Sequence, residues 1–273
     1  MRMTTMTAER IIDVRTDCES PSVEELCMFL SEYSARLLGA GATCIRLEKN
    51  VTRIAERFDK RAELTIMPRH VHLSVWAKDK SETATAIASV GAGCISFNVN
   101  TRLSELSWEL ADRKISYREA KRRYEEIVSD DRQSKWLVLV LVALANASFC
   151  RLFGGDAVAM GIVGMATMAG YYLKQLLVGM KVDIRVVVMV CAFVSAVLGA
   201  TDILFSIGST PTVALGTSVL YLVPGIPFLN SFSDMLYRHY ICAFSRFVDA
   251  VVLTCCLSIG LCAAMMLMNV GMF

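Results

Sequence analysis

Leu222-Val223-Pro224-Gly225-Ile226-Pro227-Phe228-Leu229-Asn230 puts two prolines and a glycine inside an uncharged run otherwise long enough to cross a bilayer. Proline has no amide hydrogen, so in a helix the carbonyls of Leu220 and Val223 would lose their partners and the rod would break. In hydrocarbon such a break persists only where it is buried in protein or lines a water-filled path. Discontinuous helices of this kind recur in secondary transporters, and here Asp234 follows seven residues after the second proline.

The apolar setting of the break extends over half of the chain. The 273 residues are 55% hydrophobic, yet residues 1–135 hold 22 of the 28 Lys and Arg and 21 of the 26 Asp and Glu. Two regions with different solvents are implied. Each is close to neutral and neither interleaves aromatic with basic residues, so nucleic acid is excluded as a partner and a lipid bilayer is the one composition demands. Ten cysteines are scattered without a C-x-x-C pair and read as structural, the first four compatible with a reducing cytosol. Met1 to Asp17 is charged and lacks an apolar core, so it does not read as a cleavable signal peptide.

Uncharged runs after residue 135 are Trp136 to Cys150, Ala157 to Leu173, Val186 to Thr201, Ile203 to Ser233 and Ala250 to Phe273. A span needs about 20 residues, slightly fewer where flanking Lys and Arg snorkel, so five crossings are expected. Positive charge alternates between the connections. The basic N-terminal region, the connection with Lys174, Lys181 and Arg185, and the one with Arg238 and Arg246 share one side. The positive-inside rule then puts the N-terminus in the cytoplasm and the C-terminus outside. The expected architecture is an α-helical integral membrane bundle of five spans, residues 136–273, behind a cytoplasmic α/β domain, residues 1–135.

In that domain, Ser22 to Leu38 and Thr43 to Phe58 have helical periodicity, the first with a serine N-cap and a Glu-rich first turn. Glu63 to Met67 and the alternation around Val71, Leu73 and Val75 predict a hairpin turning at Pro68 and Arg69, and Cys94 to Val99 reads as a further strand. Leu103 to Arg113 and Tyr117 to Val128 are charged amphipathic helices. His70 and His72 share a strand face without a third ligand, so no metal is expected. Arg118 to Glu126 reads as a solvated face with i,i+4 pairs. No Walker motif, nucleophile elbow or catalytic triad order stands out, and Gly39-Ala40-Gly41 reads as turn punctuation. No cofactor is implied.

The candidate transport path is built around the break. A fourth span entering near Thr212 puts Pro224 about 18 to 20 Å along, at 1.5 Å per residue. A half-helix restarting near Pro227 would offer its N-terminal amides to a carboxylate. Freed carbonyls at Leu220 and Val223 could hold a cation or water. The substrate-path candidates are Pro224, Gly225, Pro227, Asn230, Asp234, Arg246, Ser218 and Tyr221, with Asn146, Tyr171 and Gln175 as further polar groups. Asp234 could carry a proton, pair with Arg246 or mark a helix end. Arg246 could meet an anionic substrate or anchor its span, and Asp249 could neutralise it. Gly161, Gly164, Ala166, Ala169 and Gly170 allow close helix packing.

Gly41-Ala42-Thr43-Cys44-Ile45-Arg46-Leu47-Glu48, with Val51, Arg53 and Ile54, resembles the N-terminal signature of the threonine/serine exporter (ThrE) family. Thr210-Pro211-Thr212, the Leu222 to Asn230 segment, Asp234 and Arg246 resemble its membrane signature. Trp136 to Leu152 and Tyr172 to Leu177 are similar to the split, YjjP-type branch. The resemblance implies an inner-membrane exporter of small carboxylates, a succinate-like dicarboxylate or threonine and serine. It also implies a smaller YjjB-like membrane subunit as partner, or a homo-oligomer, and no enzyme activity. The alternative is a membrane-anchored sensor or enzyme whose cytoplasmic domain is the active part.

Overall fold

Helix α1 (Val23–Gly39) starts at a capping box, in which Ser22 Oγ accepts from Glu25 N and the Glu25 carboxylate accepts from Ser22 N. The computed structural model describes residues 20–91, 95–130, 134–205 and 207–269. Met1 to Asp17, Cys18, Cys94 and the last four residues of the expected fifth span lie outside them. The chain divides into two compact units, one of Met1–Arg132 with Leu229–Arg246, the other of Gln133–Phe228 with Phe247–Phe273.

In the first unit α1 is followed by α2 (Cys44–Arg57), β1 (Lys60–Ile66), β2 (His70–Ala77), β3 (Thr83–Ser89), α3 (Phe97–Ala111) and α4 (Tyr117–Ser129). The strands form an antiparallel sheet in the order β1-β2-β3. Ile66 pairs with Val71 across the expected Pro68-Arg69 turn, so Val71, Leu73 and Val75 point inward while His70 and His72 face out. The third strand is not where the sequence puts it. Of the expected Cys94 to Val99 strand, the described residues Ile95 and Ser96 lead into α3 instead, because Ser96 caps that helix through Val99 N and the apolar residues from Val99 recur at helical spacing. The strand is instead Thr83–Ser89, whose alanines and threonines alternate too weakly to stand out as a half-buried strand.

Leu26, Leu30 and Leu37 of α1, Leu47, Val51 and Ile54 of α2, the inward face of β2, and Leu103 and Leu110 of α3 form one core, which also takes in Cys242. Tyr33 lies at its centre, fully buried, its hydroxyl donating to Leu103 O at 2.8 Å and accepting from Asn50 Nδ2 at 3.0 Å. Burial pushes the phenol pKa up, which keeps it a proton donor. Tyr33→Phe removes the donor to Leu103 O and one of the two acceptors of Asn50 Nδ2, which keeps Ser104 Oγ, and should cost about 1–3 kcal/mol. Denaturant unfolding of the full chain tests this; an unchanged midpoint would mean the bond carries no stability.

The second unit holds α5 (Lys135–Leu152), α6 (Ala157–Gly179), α7 (Ile184–Gly199), α8 (Thr201–Phe205), α9 (Pro211–Ser218) and a 3-10 turn (Leu220–Leu222). The boundary between the units falls within the last two helices, α10 (Gly225–Leu236) and α11 (Tyr240–Leu267). Three helical stretches are long and apolar enough to cross a membrane: Lys135–Leu152, Ile184–Phe205 and Tyr240–Leu267. A fourth is Pro211–Leu222 with Gly225–Leu236, bent by 61° at the proline break. Helix α6 is not among them, its second half carrying Tyr171, Tyr172, Lys174 and Gln175. The chain is thus mostly helical, with three to four apolar span candidates and one small sheet among the described residues.

Glycines set the spacing inside this unit. A Cβ on Gly260 of α11 would run into the Met189 carbonyl of α7, and one on Gly199 would sit 2.7 Å from Ser218 Cβ. Without a hydrophobic drive between helices in lipid, such close backbone approach is what holds them together.

Candidate functional site

The break forms as the two prolines dictate, with a local repair. The chain tightens into the 3-10 turn, where Leu222 N donates to Val219 O and Val223 N to Leu220 O. Gly225 N donates to Val223 O at 2.7 Å, and α10 restarts at Gly225, two residues before the expected point. Pro227 falls in the first turn of α10, where a missing N–H costs nothing. The carbonyls of Leu220 and Val223, expected to be free for a cation or water, therefore each accept a backbone amide.

Beside the break, the second unit buries a seam of polar side chains among apolar helices. Asn146 of α5, 2% exposed, donates through Nδ2 to Thr167 Oγ1 of α6 at 2.7 Å and to Thr217 O of α9 at 3.0 Å. Ser195 Oγ of α7 lies 2.9 Å from Tyr221 OH, and both crowd Gly170 of α6, where a side chain would collide with them. Tyr171 packs edge-on against Tyr221, ring centroids 6.1 Å apart. Ser218, also fully buried, turns its hydroxyl back to Leu215 O at 2.7 Å. Four helices thus converge on hydroxyls and one amide, groups that can bind a carboxylate or carboxyl by exchanging hydrogen bonds. Thr167, Ser195 and Thr217 were not singled out from sequence; lone hydroxyls in apolar runs were the only signal.

Asn230, Asp234 and Arg246 form a different constellation, within the first unit. Helices α10 and α11 make a hairpin through Tyr237, Arg238 and His239, stapled by Ser231 Oγ donating to Ala243 O at 2.7 Å. From it three side chains reach the loop between α1 and α2. Asn230 Nδ2 donates to Gly41 O at 2.9 Å, and Arg246 Nη2 to Ala42 O at 2.9 Å. Asp234 Oδ1 accepts from Cys44 N at 2.8 Å. The adjacent Ala40 O accepts from Ser96 N, so the carbonyls of residues 40–42 are satisfied from afar while their amides bond back to Arg36, Leu38 and Leu37.

The local N-cap of α2, Thr43, makes no side-chain bond, and Asp234 does its work from 190 positions away. A carboxylate there also meets the positive end of the helix dipole. Asp234 is 0% exposed, and its Oδ2 stands 2.9 Å from Arg246 Nη1, a contact close enough for an ion pair though not aligned as a hydrogen bond. The carboxylate neutralising Arg246 is thus Asp234 rather than Asp249. Gly41 is required at φ +89°, with Ile95 packed where a side chain would go.

Among the described residues no group of three or more His, Cys, Asp or Glu could hold a metal ion. The eight cysteines among the described residues are free thiols, five of them buried.

A model of the threonine/serine exporter (ThrE) family matches residues 28–268, covering both the clamped loop and the broken span. The chain belongs to the ThrE family. It is 26% identical over 248 residues to a probable succinate transporter subunit, YjjP, of Klebsiella aerogenes, covering 90% of this chain and 94% of that one. It is 30% identical over 152 residues to the probable succinate transporter subunit YjjP of Escherichia coli K12, covering 55% and 59%. No solved structure is significantly similar. Proteins of the ThrE and YjjP type are transporters and not enzymes, and the apolar helices fit a protein inserted in a membrane.

Proposed function

We propose that this ThrE-family chain is an inner-membrane exporter subunit that moves small carboxylates out of the cell, succinate-like dicarboxylates or threonine and serine. The observation carrying this reading is the buried seam of Asn146, Thr167, Ser195 and Tyr221 beside the 61° break. Buried hydrogen-bonding groups in spans are costly unless used, and they commonly mark a substrate path. The names of the YjjP relatives, each a probable succinate transporter subunit, support the dicarboxylate and a further subunit, which in this proposal is a YjjB-like membrane protein or a second copy of the chain.

The proposal includes a cytoplasmic α/β domain of residues 1–135 and five spans in residues 136–273, with the C-terminus outside. The first unit supports that count. Residues 229–246 share a compact unit with the N-terminal half, which puts both on one side of a membrane if the unit is aqueous. An even number of crossings must then separate Lys135 from Tyr237. Three of the apolar stretches lie between them only if the bent pair counts as one, so α6, 23 residues or about 34 Å long, is needed as the fourth and α11 makes the fifth.

Cells lacking endogenous carboxylate exporters and producing this chain, with and without a co-produced YjjB-type subunit, provide the test. Efflux of succinate, threonine or serine should rise at least severalfold over the empty vector. Unchanged efflux of all three under both conditions would overturn the substrate assignment.

A further inference from the structure

One end of the second unit carries two carboxylates that the exporter reading does not use. Asp156 precedes α6 and caps it, Oδ1 accepting from Ala159 N at 2.7 Å. Its Oδ2 accepts from both Ser209 N at 2.6 Å and Ser209 Oγ at 2.8 Å, and its own N–H donates to Thr210 Oγ1. Asp202 of α8 is 0% exposed. Its Oδ1 accepts from Gly208 N at 2.7 Å, while Oδ2 has no hydrogen-bond partner among the described residues.

The two side chains converge. The space where Gly208 would carry a Cβ lies 2.9 Å from each Asp202 oxygen and 3.1 Å from Asp156 Oδ2. A Cβ at 208 would collide with both carboxylates, so glycine is what lets the two approach the same point. No Lys or Arg forms an ion pair with either group among the described residues; the nearest cation in sequence, Arg151, donates to Gly155 O at 3.1 Å. Helices α6, α7 and α9, which pack on α8, present no other charged side chain to Asp202 among the described contacts.

A buried carboxylate oxygen without a donor needs a proton or a cation to satisfy it, and the pH arm of the experiment below separates the two. We propose that Asp202 and Asp156 bind a hard metal cation beside Gly208, tying the Gly208-Ser209-Thr210 turn to the start of α6. Oxygen donors of this kind suit Na⁺, Mg²⁺ or Ca²⁺, and the half-exposed Asp156 side leaves room for the ion to keep water.

Thermal unfolding of the purified full-length protein, at constant ionic strength and neutral pH, is measured against NaCl, KCl, MgCl₂ and CaCl₂. One of these should raise Tm saturably, by roughly 5 °C at a hundredfold excess over its Kd. The shift should vanish in Asp202→Asn, in Gly208→Ala and in Asp156→Asn, the last a half-exposed change that keeps an acceptor for either Ala159 N or Ser209. Equilibrium dialysis of the wild type against the active cation should give one ion per chain. No saturable shift with any cation, a shift that survives in Asp156→Asn, or a Tm that responds to falling pH alone would overturn the proposal. The readout is independent of transport, so the exporter reading stands or falls separately.

Discussion

Asp234→Ala should destabilise the chain by about 3–5 kcal/mol, the range expected when one partner of a buried ion pair is removed and the other left behind. Two losses combine in it. Cys44 N at the start of α2 loses its acceptor, worth about 1 kcal/mol as a helix cap. Arg246, its side chain 20% exposed, keeps Ala42 O but loses its one ion-pair partner among the described residues. Arg246→Ala should approach the same cost, leaving Asp234 buried and charged. The double variant should be less destabilised than the sum of the singles by about 1–3 kcal/mol, because each single strands a charge that the double removes. Denaturant unfolding in detergent would measure all three. Strict additivity would mean the 2.9 Å contact carries no coupling and that Asp234 acts through the Cys44 amide alone. Asp234→Asn keeps an acceptor for that amide and should fall between wild type and Asp234→Ala.

The second large effect is expected at Gly260. Its missing side chain is occupied by the backbone of α7: a Cβ would meet Met189 O, with Ala192 Cβ at 3.0 Å and Phe193 N at 3.1 Å. Helical backbone cannot move aside as a flexible side chain can, so Gly260→Ala must push α7 and α11 apart. The cost should lie at the upper end of the roughly 1–3 kcal/mol typical of overpacking, despite the better helix propensity of alanine. Gly161 of α6 is the internal control, with nothing within 4 Å of its Cβ position. There the same substitution should be neutral or stabilising by up to about 1 kcal/mol. Equal melting temperatures for the two alanine variants would mean that close approach of α7 and α11 contributes nothing to this unit. Gly170 is an intermediate case, because what crowds it is the Ser195 and Tyr221 hydroxyls, which have more freedom than a carbonyl.

These two sites differ in how far they could be read in advance. Gly260 sits in an apolar run with no neighbouring glycine motif, and nothing in the linear order says that α7 lies against it. Asp234 and Arg246 were visible as charges in an apolar setting, and pairing them was one of several open readings. That both serve the Gly41 to Cys44 loop was not visible, since hydrogen bonds to backbone carbonyls leave no trace in residue identity. The family signature already contained both halves of the clamp, a loop with a glycine at positive φ and a distant Asn, Asp and Arg, but signatures do not say what touches what.

The chain by itself determined what depends on local chemistry. Charge distribution separated a charged half from an apolar one, Ser22 and Glu25 started α1, the Pro68 turn aligned β1 with β2, and Pro224 with Pro227 ended one helix and began another. Each follows from a backbone donor present or absent within a few residues. Only the tertiary structure decided the rest. It made Ser96 a cap rather than part of a strand, returned the Leu220 and Val223 carbonyls to the backbone, and gathered Asn146, Thr167, Ser195 and Tyr221 into one seam. It also set Asn230, Asp234 and Arg246 against the loop between α1 and α2. In each case a buried polar group had to find a partner, and in a folded chain the nearest partner in space is set by packing, not by sequence distance.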